Sequence, residues 1–118
     1  MPKKAPFAFE GLDRLLHEKS RLSILTSLAD HSKGLSFTEL RDLCGMTDGN
    51  LSRHIQILEE GGLVQVTKGF EGRRPLTTCQ LTDDGRRRFS EYLGVLEQVL
   101  RSARSTAEEQ GRPKKGIA

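Results

Sequence analysis

Apolar positions recur at helical spacing along much of the chain and give way to short strand-like runs after Gly62. Leu12, Leu15 and Leu16 open an apolar pattern that Leu22, Leu25, Leu28 and Ala29 continue. This predicts one helix or two short helices between Gly11 and Asp30. His31 to Gly34 breaks the pattern, and Leu35 is a candidate short strand that pairs with a later hairpin. Ser36-Phe37-Thr38-Glu39 matches a capping box, so a short helix is expected to run from there to about Leu43. Cys44-Gly45-Met46 reads as the turn that follows. Thr47 can cap the next helix, because its hydroxyl accepts from backbone N–H groups left free in a first turn. Leu51, Ile55 and Leu58 then mark the inner face of a helix ending near Glu60. Gly61 and Gly62 stop it, since glycine tolerates the left-handed backbone of a C-cap.

Leu63, Val64 and Val66 read as a strand, Lys68 to Pro75 as its turn, and Leu76 to Leu81 as the returning strand. Gly69 and Gly72 make that loop permissive. Thr82, Asp83 and Asp84 supply a cap and acids for the last helix, predicted from Asp83 to about Glu108. At ~1.5 Å per residue it would be about 39 Å long. Phe89, Leu93, Leu96, Leu100 and Ala103 form its stripe, widened by Tyr92 and Val99. The 118 residues suit one domain. Residues 1–10 are expected to be a mobile basic leader, 11–108 the folded unit and 109–118 a flexible tail. The predicted class is mainly α with a small β-hairpin (α+β). Capped helix, glycine stop, strand, basic loop and strand form the order of a winged helix-turn-helix with a long C-terminal helix.

Three surfaces could carry function. With Leu51, Ile55 and Leu58 inward, Gly49, Arg53, Gln56 and Glu60 face outward, flanked by Asn50, Ser52 and Ile57. Arg and Gln can bind guanine and adenine edges, and Asn and Ser serve bases or phosphates. The candidate recognition set is Thr47, Gly49, Asn50, Ser52, Arg53 and Gln56. His54 lies beside the apolar face and reads as structural. The hairpin tip offers Lys68, Arg73, Arg74 and Pro75, opposed only by Glu71. Arg86, Arg87 and Arg88 stand at a helix N-terminus, a place that suits anions; Asp83 and Asp84 can offset them, and the three form either a solvated charged face or a set in which some reach phosphate or a partner's acids. The last helix outruns so small a body. Leu12, Leu16, Phe89, Tyr92, Leu93, Leu96, Val99 and Leu100 are therefore the candidate dimerisation set.

Charge and cysteine narrow the choice. A net charge of +3 permits nucleic-acid binding, with position deciding. Cys44 and Cys79 form no metal-ligand motif and suit a reducing cytosol; they are redox sensors only if stabilised as thiolates, and buried or inert thiols otherwise, and their spacing alone leaves a disulfide open. There is no signal-like stretch, no run of the ~20 apolar residues a membrane span needs, no P-loop, and no nucleophile paired with His17, His31 or His54. Trp is absent, which disfavours stacking on single strands.

Leu35-Ser36-Phe37-Thr38-Glu39-Leu40, Thr47 to His54, Leu58 to Val64, Gly72-Arg73-Arg74-Pro75 and Leu81 to Arg86 together resemble the MarR/ArsR-like winged helix regulators. The resemblance spans roughly Leu12 to Leu100. It implies a cytoplasmic dimeric transcription regulator, usually a repressor. Metal-sensing members carry a cysteine pair on or near the recognition helix, where this chain has only Cys44. The expected partners are double-stranded DNA and a second copy of the chain, with no catalysis, no cofactor, no membrane and no assigned effector. A winged helix that binds protein is the alternative; an acidic wing would favour it, and this wing is basic.

Overall fold

The computed structural model describes residues 5–115, so residues 1–4 of the expected leader and 116–118 of the tail lie outside the described residues. The elements run α1 (Lys19–Ala29), β1 (Leu35–Ser36), α2 (Phe37–Cys44), α3 (Asp48–Glu60), β2 (Val64–Glu71), β3 (Arg74–Leu81) and α4 (Asp83–Lys115). The antiparallel sheet has the order β1-β3-β2. This is the expected α+β winged helix architecture with a long C-terminal helix.

The caps follow the sequence. Ser36 Oγ accepts from Glu39 N–H at 3.1 Å while the Glu39 carboxylate accepts from Ser36 N–H at 2.9 Å, a complete capping box. Those bonds to Ser36 hold the Glu39 carboxyl below its ordinary range. Thr47 Oγ1 accepts from Asn50 N–H at 3.1 Å and starts α3. Thr82 Oγ1 accepts from Gly85 N–H at 2.8 Å and donates to the Gly62 carbonyl at 2.7 Å, tying the start of α4 to the α3–β2 corner. A Cβ on Gly85 would lie 2.1 Å from the Leu63 carbonyl oxygen, so only glycine lets the helix come this close.

Ile24, Leu25 and Leu28 of α1, Leu40 of α2, Leu51 and Leu58 of α3, and Leu63 form the fully buried centre. Leu35, Ile55, Val64, Cys79, Leu81, Phe89 and Tyr92 complete the core around them.

Three boundaries differ from expectation. The N-terminal apolar pattern yields one helix, α1, and residues 11–17 form turns before it. The Asp13 carboxylate accepts from Leu15 N–H, and the extended backbone of Glu18 caps α1, so the first turns cannot propagate into a helix. Leu16 still reaches the core from its turn, at 1% exposure. The hairpin loop is Gly72-Arg73 rather than Lys68 to Pro75, because strand pairing continues to Glu71 and Arg74. Gly72 has φ +66° as the first of two loop residues, the geometry that glycine supplies in tight hairpins. Gly69 is a strand residue opposite Leu76. Finally, α4 continues past Glu108 to Lys115. Ala107 to Gln110 are good helix formers, which accounts for the extension past Glu108 as far as Gln110.

Candidate nucleic-acid interface

The inner face of α3 is fixed by Leu51, Ile55 and Leu58, all buried. The opposite face is therefore presented outward. Gly49, Asn50, Ser52, Arg53 and Gln56 are exposed along it. No atom lies within 4 Å of a Cβ built on Gly49, so packing inside this chain does not require glycine there. Gln56 donates to Glu60 at 3.3 Å along the helix surface. Thr47 is exposed but has its hydroxyl engaged in the cap.

Arg41 of α2 donates to Asp48 at 3.0 Å and to Asp42 at 3.1 Å. These bonds raise its already high pKa, the one to Asp48 most. The pair spans the α2–α3 turn and sets a cation against the acid in the first turn of α3. Sequence reasoning missed Arg41; its partner lies on the next helix, across the turn at Gly45. His54 is half-buried with Nδ1 3.3 Å from Arg21 Nη1, while Arg21 Nε donates to the Leu15 carbonyl at 2.7 Å. His54 thus sits in a structural cluster joining α3, α1 and the N-terminal turns.

The hairpin projects beyond this face. Between α3 and the hairpin runs a groove of about 360 Å³ lined by Ser52, Gln56, Glu59, Lys68 and Thr77 among others. Lys68 and Thr77 are register partners and share the hairpin face toward α3. Arg73 is in the turn, and Arg74 lies on the opposite face, paired in register with Glu71. Pro75 is exposed on the same face as Lys68. Thr77 was not foreseen, because its position depends on a cross-strand register that a longer expected loop concealed.

The cations divide sharply. Among the described residues, Arg53, Lys68, Arg73, Arg74 and Arg86 take part in none of the ion pairs. Arg87 instead pairs with Asp84 and, at 3.2 Å, with Glu91. Arg88 donates to the Gly61 carbonyl at 3.1 Å and to Asp13 at 3.2 Å. Two of the three arginines at the start of α4 therefore have partners in their own chain.

The dimerisation candidates divide too. Leu16, Phe89 and Tyr92 are buried within the chain's own core, and the Tyr92 hydroxyl meets His17 Nδ1. Burial raises the Tyr92 pKa above its ordinary value. Leu12, Leu96 and Val99 are half-buried, whereas Leu93 is 43% and Leu100 50% exposed. Both cysteines are free thiols. Burial, with the Glu59 carboxylate adding to it, pushes the Cys79 thiol up to about 11. Among the described residues no helix is long and apolar enough to cross a membrane, and no cluster of three or more His, Cys, Asp or Glu could hold a metal.

Against known proteins, the family described as winged helix DNA-binding domain matches residues 20–100. An uncharacterized protein of Methanocaldococcus jannaschii is 33% identical over 66 residues, 56% of this chain and 72% of that one. The structure of a transcriptional regulator homologue protein from Pyrococcus horikoshii OT3 is 30% identical, with a TM-score of 0.73 over 77% of this chain and 89% of that chain. A MarR family transcriptional regulator from Silicibacter pomeroyi, at 24% identity, shares the fold with a TM-score of 0.52, over 85% of this chain and 70% of that chain. The resemblance to MarR-like winged helix regulators is borne out at the level of fold, and the family and fold are those of regulators rather than enzymes.

Proposed function

The chain belongs to the winged helix DNA-binding domain family, and on that premise we propose that it is a cytoplasmic, sequence-specific regulator of transcription that binds double-stranded DNA as a homodimer. Helix α3 enters the major groove with Arg53, Asn50, Ser52 and Gln56 toward base edges and the adjoining phosphates. The wing lies on backbone or minor groove through Lys68 and Arg73, with Arg74 on its flank. The single observation that carries this is the coincidence of the exposed polar face of α3 with wing cations that have no ion-pair partner. An unpaired cation loses no existing partner when it meets a phosphate.

The dimer reading is supported by the length and exposed stripe of α4. Its 33 residues span about 50 Å at ~1.5 Å per residue. The stripe beyond Tyr92, with Leu93, Leu96, Val99 and Leu100, is the surface a two-fold partner covers. Such a dimer sets two recognition helices about one turn of DNA apart, ~34 Å, over a pseudo-palindrome. A bivalent clamp of this kind blocks access to the DNA beneath it, so we assign repression as the outcome. No cofactor takes part.

A mobility shift with fragments of the source genome at two salt concentrations tests the proposal. Discrete retardation of particular fragments, weaker at the higher salt, is expected. Failure to retard any fragment at low salt defeats it.

A further inference from the structure

Alternate residues of a strand share a face, and the register fixes which ones they are. In the hairpin, Val64, Val66, Lys68 and Phe70 pair with Leu81, Cys79, Thr77 and Pro75. At the root this face is core, for Val64, Cys79 and Leu81 are buried. Further out, Lys68 and Thr77 line the groove against Ser52 and Gln56 of α3. The next pair along the same face is Phe70 with Pro75. At ~3.3 Å per residue, Phe70 stands about 7 Å beyond Lys68.

Phe70 is 73% exposed, the most exposed of the large apolar side chains among the described residues. It makes none of the aromatic contacts seen among them. A phenyl ring held in water at a hairpin tip adds little to folding, because burial is what stabilises apolar surface. Its neighbours are cations without ion-pair partners, Lys68 on the same face and Arg73 in the turn. An apolar ring between free cations complements the minor groove. There phosphates line both edges, and an apolar side chain can press on sugars or wedge between partly unstacked bases.

We propose that Phe70, backed by Pro75, is an apolar wedge that the wing inserts into the minor groove, so that the protein selects easily unstacked pyrimidine–purine steps there. This rests on the DNA-binding function proposed above. It adds a second source of sequence discrimination, read through deformability, to the base contacts of α3.

The test is selection from a random-sequence duplex library about three helical turns long. The full chain is compared with Phe70→Ala and Phe70→Leu. The parent enriches a central site and, on its flanks, TA or CA/TG steps. Phe70→Leu keeps both enrichments, since leucine also wedges. Phe70→Ala keeps the centre, loses the flanking steps, and binds the parent's selected duplex about tenfold more weakly with an unchanged salt slope, because no charge is removed. Its unfolding midpoint matches the parent's.

Flanking steps retained by Phe70→Ala at parental affinity overturn the wedge, as does a clear drop in the unfolding midpoint, which makes the ring structural. A changed oligomeric state by light scattering, with selection intact, assigns Phe70 to a protein contact and also overturns it. A parent that enriches a centre without flanking steps defeats only the wedge. A parent that enriches no sequence defeats the DNA-binding function itself.

Discussion

Two arginine-bearing regions of this chain look alike as strings and differ as surfaces. The wing carries Lys68, Arg73 and Arg74, and the start of α4 carries Arg86, Arg87 and Arg88. Among the described residues no wing cation has an ion-pair partner, whereas Arg87 meets Asp84 and Glu91, and Arg88 meets Asp13 and the Gly61 carbonyl. A cation already satisfied by its own chain must give up that partner to bind a phosphate. On the proposed function, the wing cations are the ones available to phosphate without loss of a partner, a distinction that counting charge does not draw. Arg86 resembles the wing in having no ion pair, although it sits beside the satisfied pair.

The largest expected effect comes from removing the linkage between two copies of the free-cation surface. If the proposed dimer forms, Leu96→Glu with Leu100→Glu should convert it to a monomer and weaken operator binding by about a hundredfold. The second half-site contact then ceases to be intramolecular. Size exclusion with light scattering, alongside a titration of operator DNA, checks both parts. A parent chain that is monomeric at tens of micromolar yet binds tightly defeats it.

Next, Arg53 is exposed on α3 without an ion pair. Arg53→Ala should cost ~1–3 kcal/mol on the preferred site and relax specificity there. Unchanged site selection removes Arg53 from base reading.

On the other side of the comparison, Arg88→Ala should lower folding stability by about 1 kcal/mol at fixed protein concentration. Its partners are a carbonyl and a partly exposed carboxylate, so solvent screening holds the loss below that of a buried pair. Denaturant unfolding reads this, and a parental midpoint would place Arg88 with the free cations.

A further effect, confined to alkaline pH, concerns Cys79. The unfolded thiol ionises near its ordinary 9.0 and the buried one near about 11. The unfolded state therefore binds fewer protons between those values. Stability held below pH 9 should decline as pH rises toward 11. In native protein at mildly alkaline pH, a thiol reagent should label half-exposed Cys44 well before Cys79. Equal labelling rates would show that the β3 core opens readily.

What the sequence disclosed follows the range of the interactions. α3 was legible because its cap, its inner leucines and its glycine stop are all local. The hairpin tip was not. Gly69 and Gly72 are the same residue type, and only cross-strand pairing makes one a strand residue and the other the turn. Leu12, Leu15 and Leu16 have helical spacing, yet the Asp13 side chain and the extended Glu18 hold that segment in turns. Leu16, Phe89 and Tyr92 belong to a stripe whose division between core and surface depends on how far the body reaches along α4. The roles of Arg88 and Gly85 rest on Asp13, Gly61 and Leu63, too distant in the chain for any spacing rule.

The difference between free and satisfied cations is tested most directly by the salt dependence of DNA binding in two variants, Arg73→Ala/Arg74→Ala and Arg87→Ala, against the parent. Each neutralised phosphate contributes about 0.9 to the slope of log affinity against log salt. The wing variant should flatten that slope by about one unit for each phosphate it no longer neutralises. It should also weaken binding to every sequence, while Arg87→Ala keeps the parental slope. A parental slope in the wing variant, or an equal flattening in Arg87→Ala, would contradict the account.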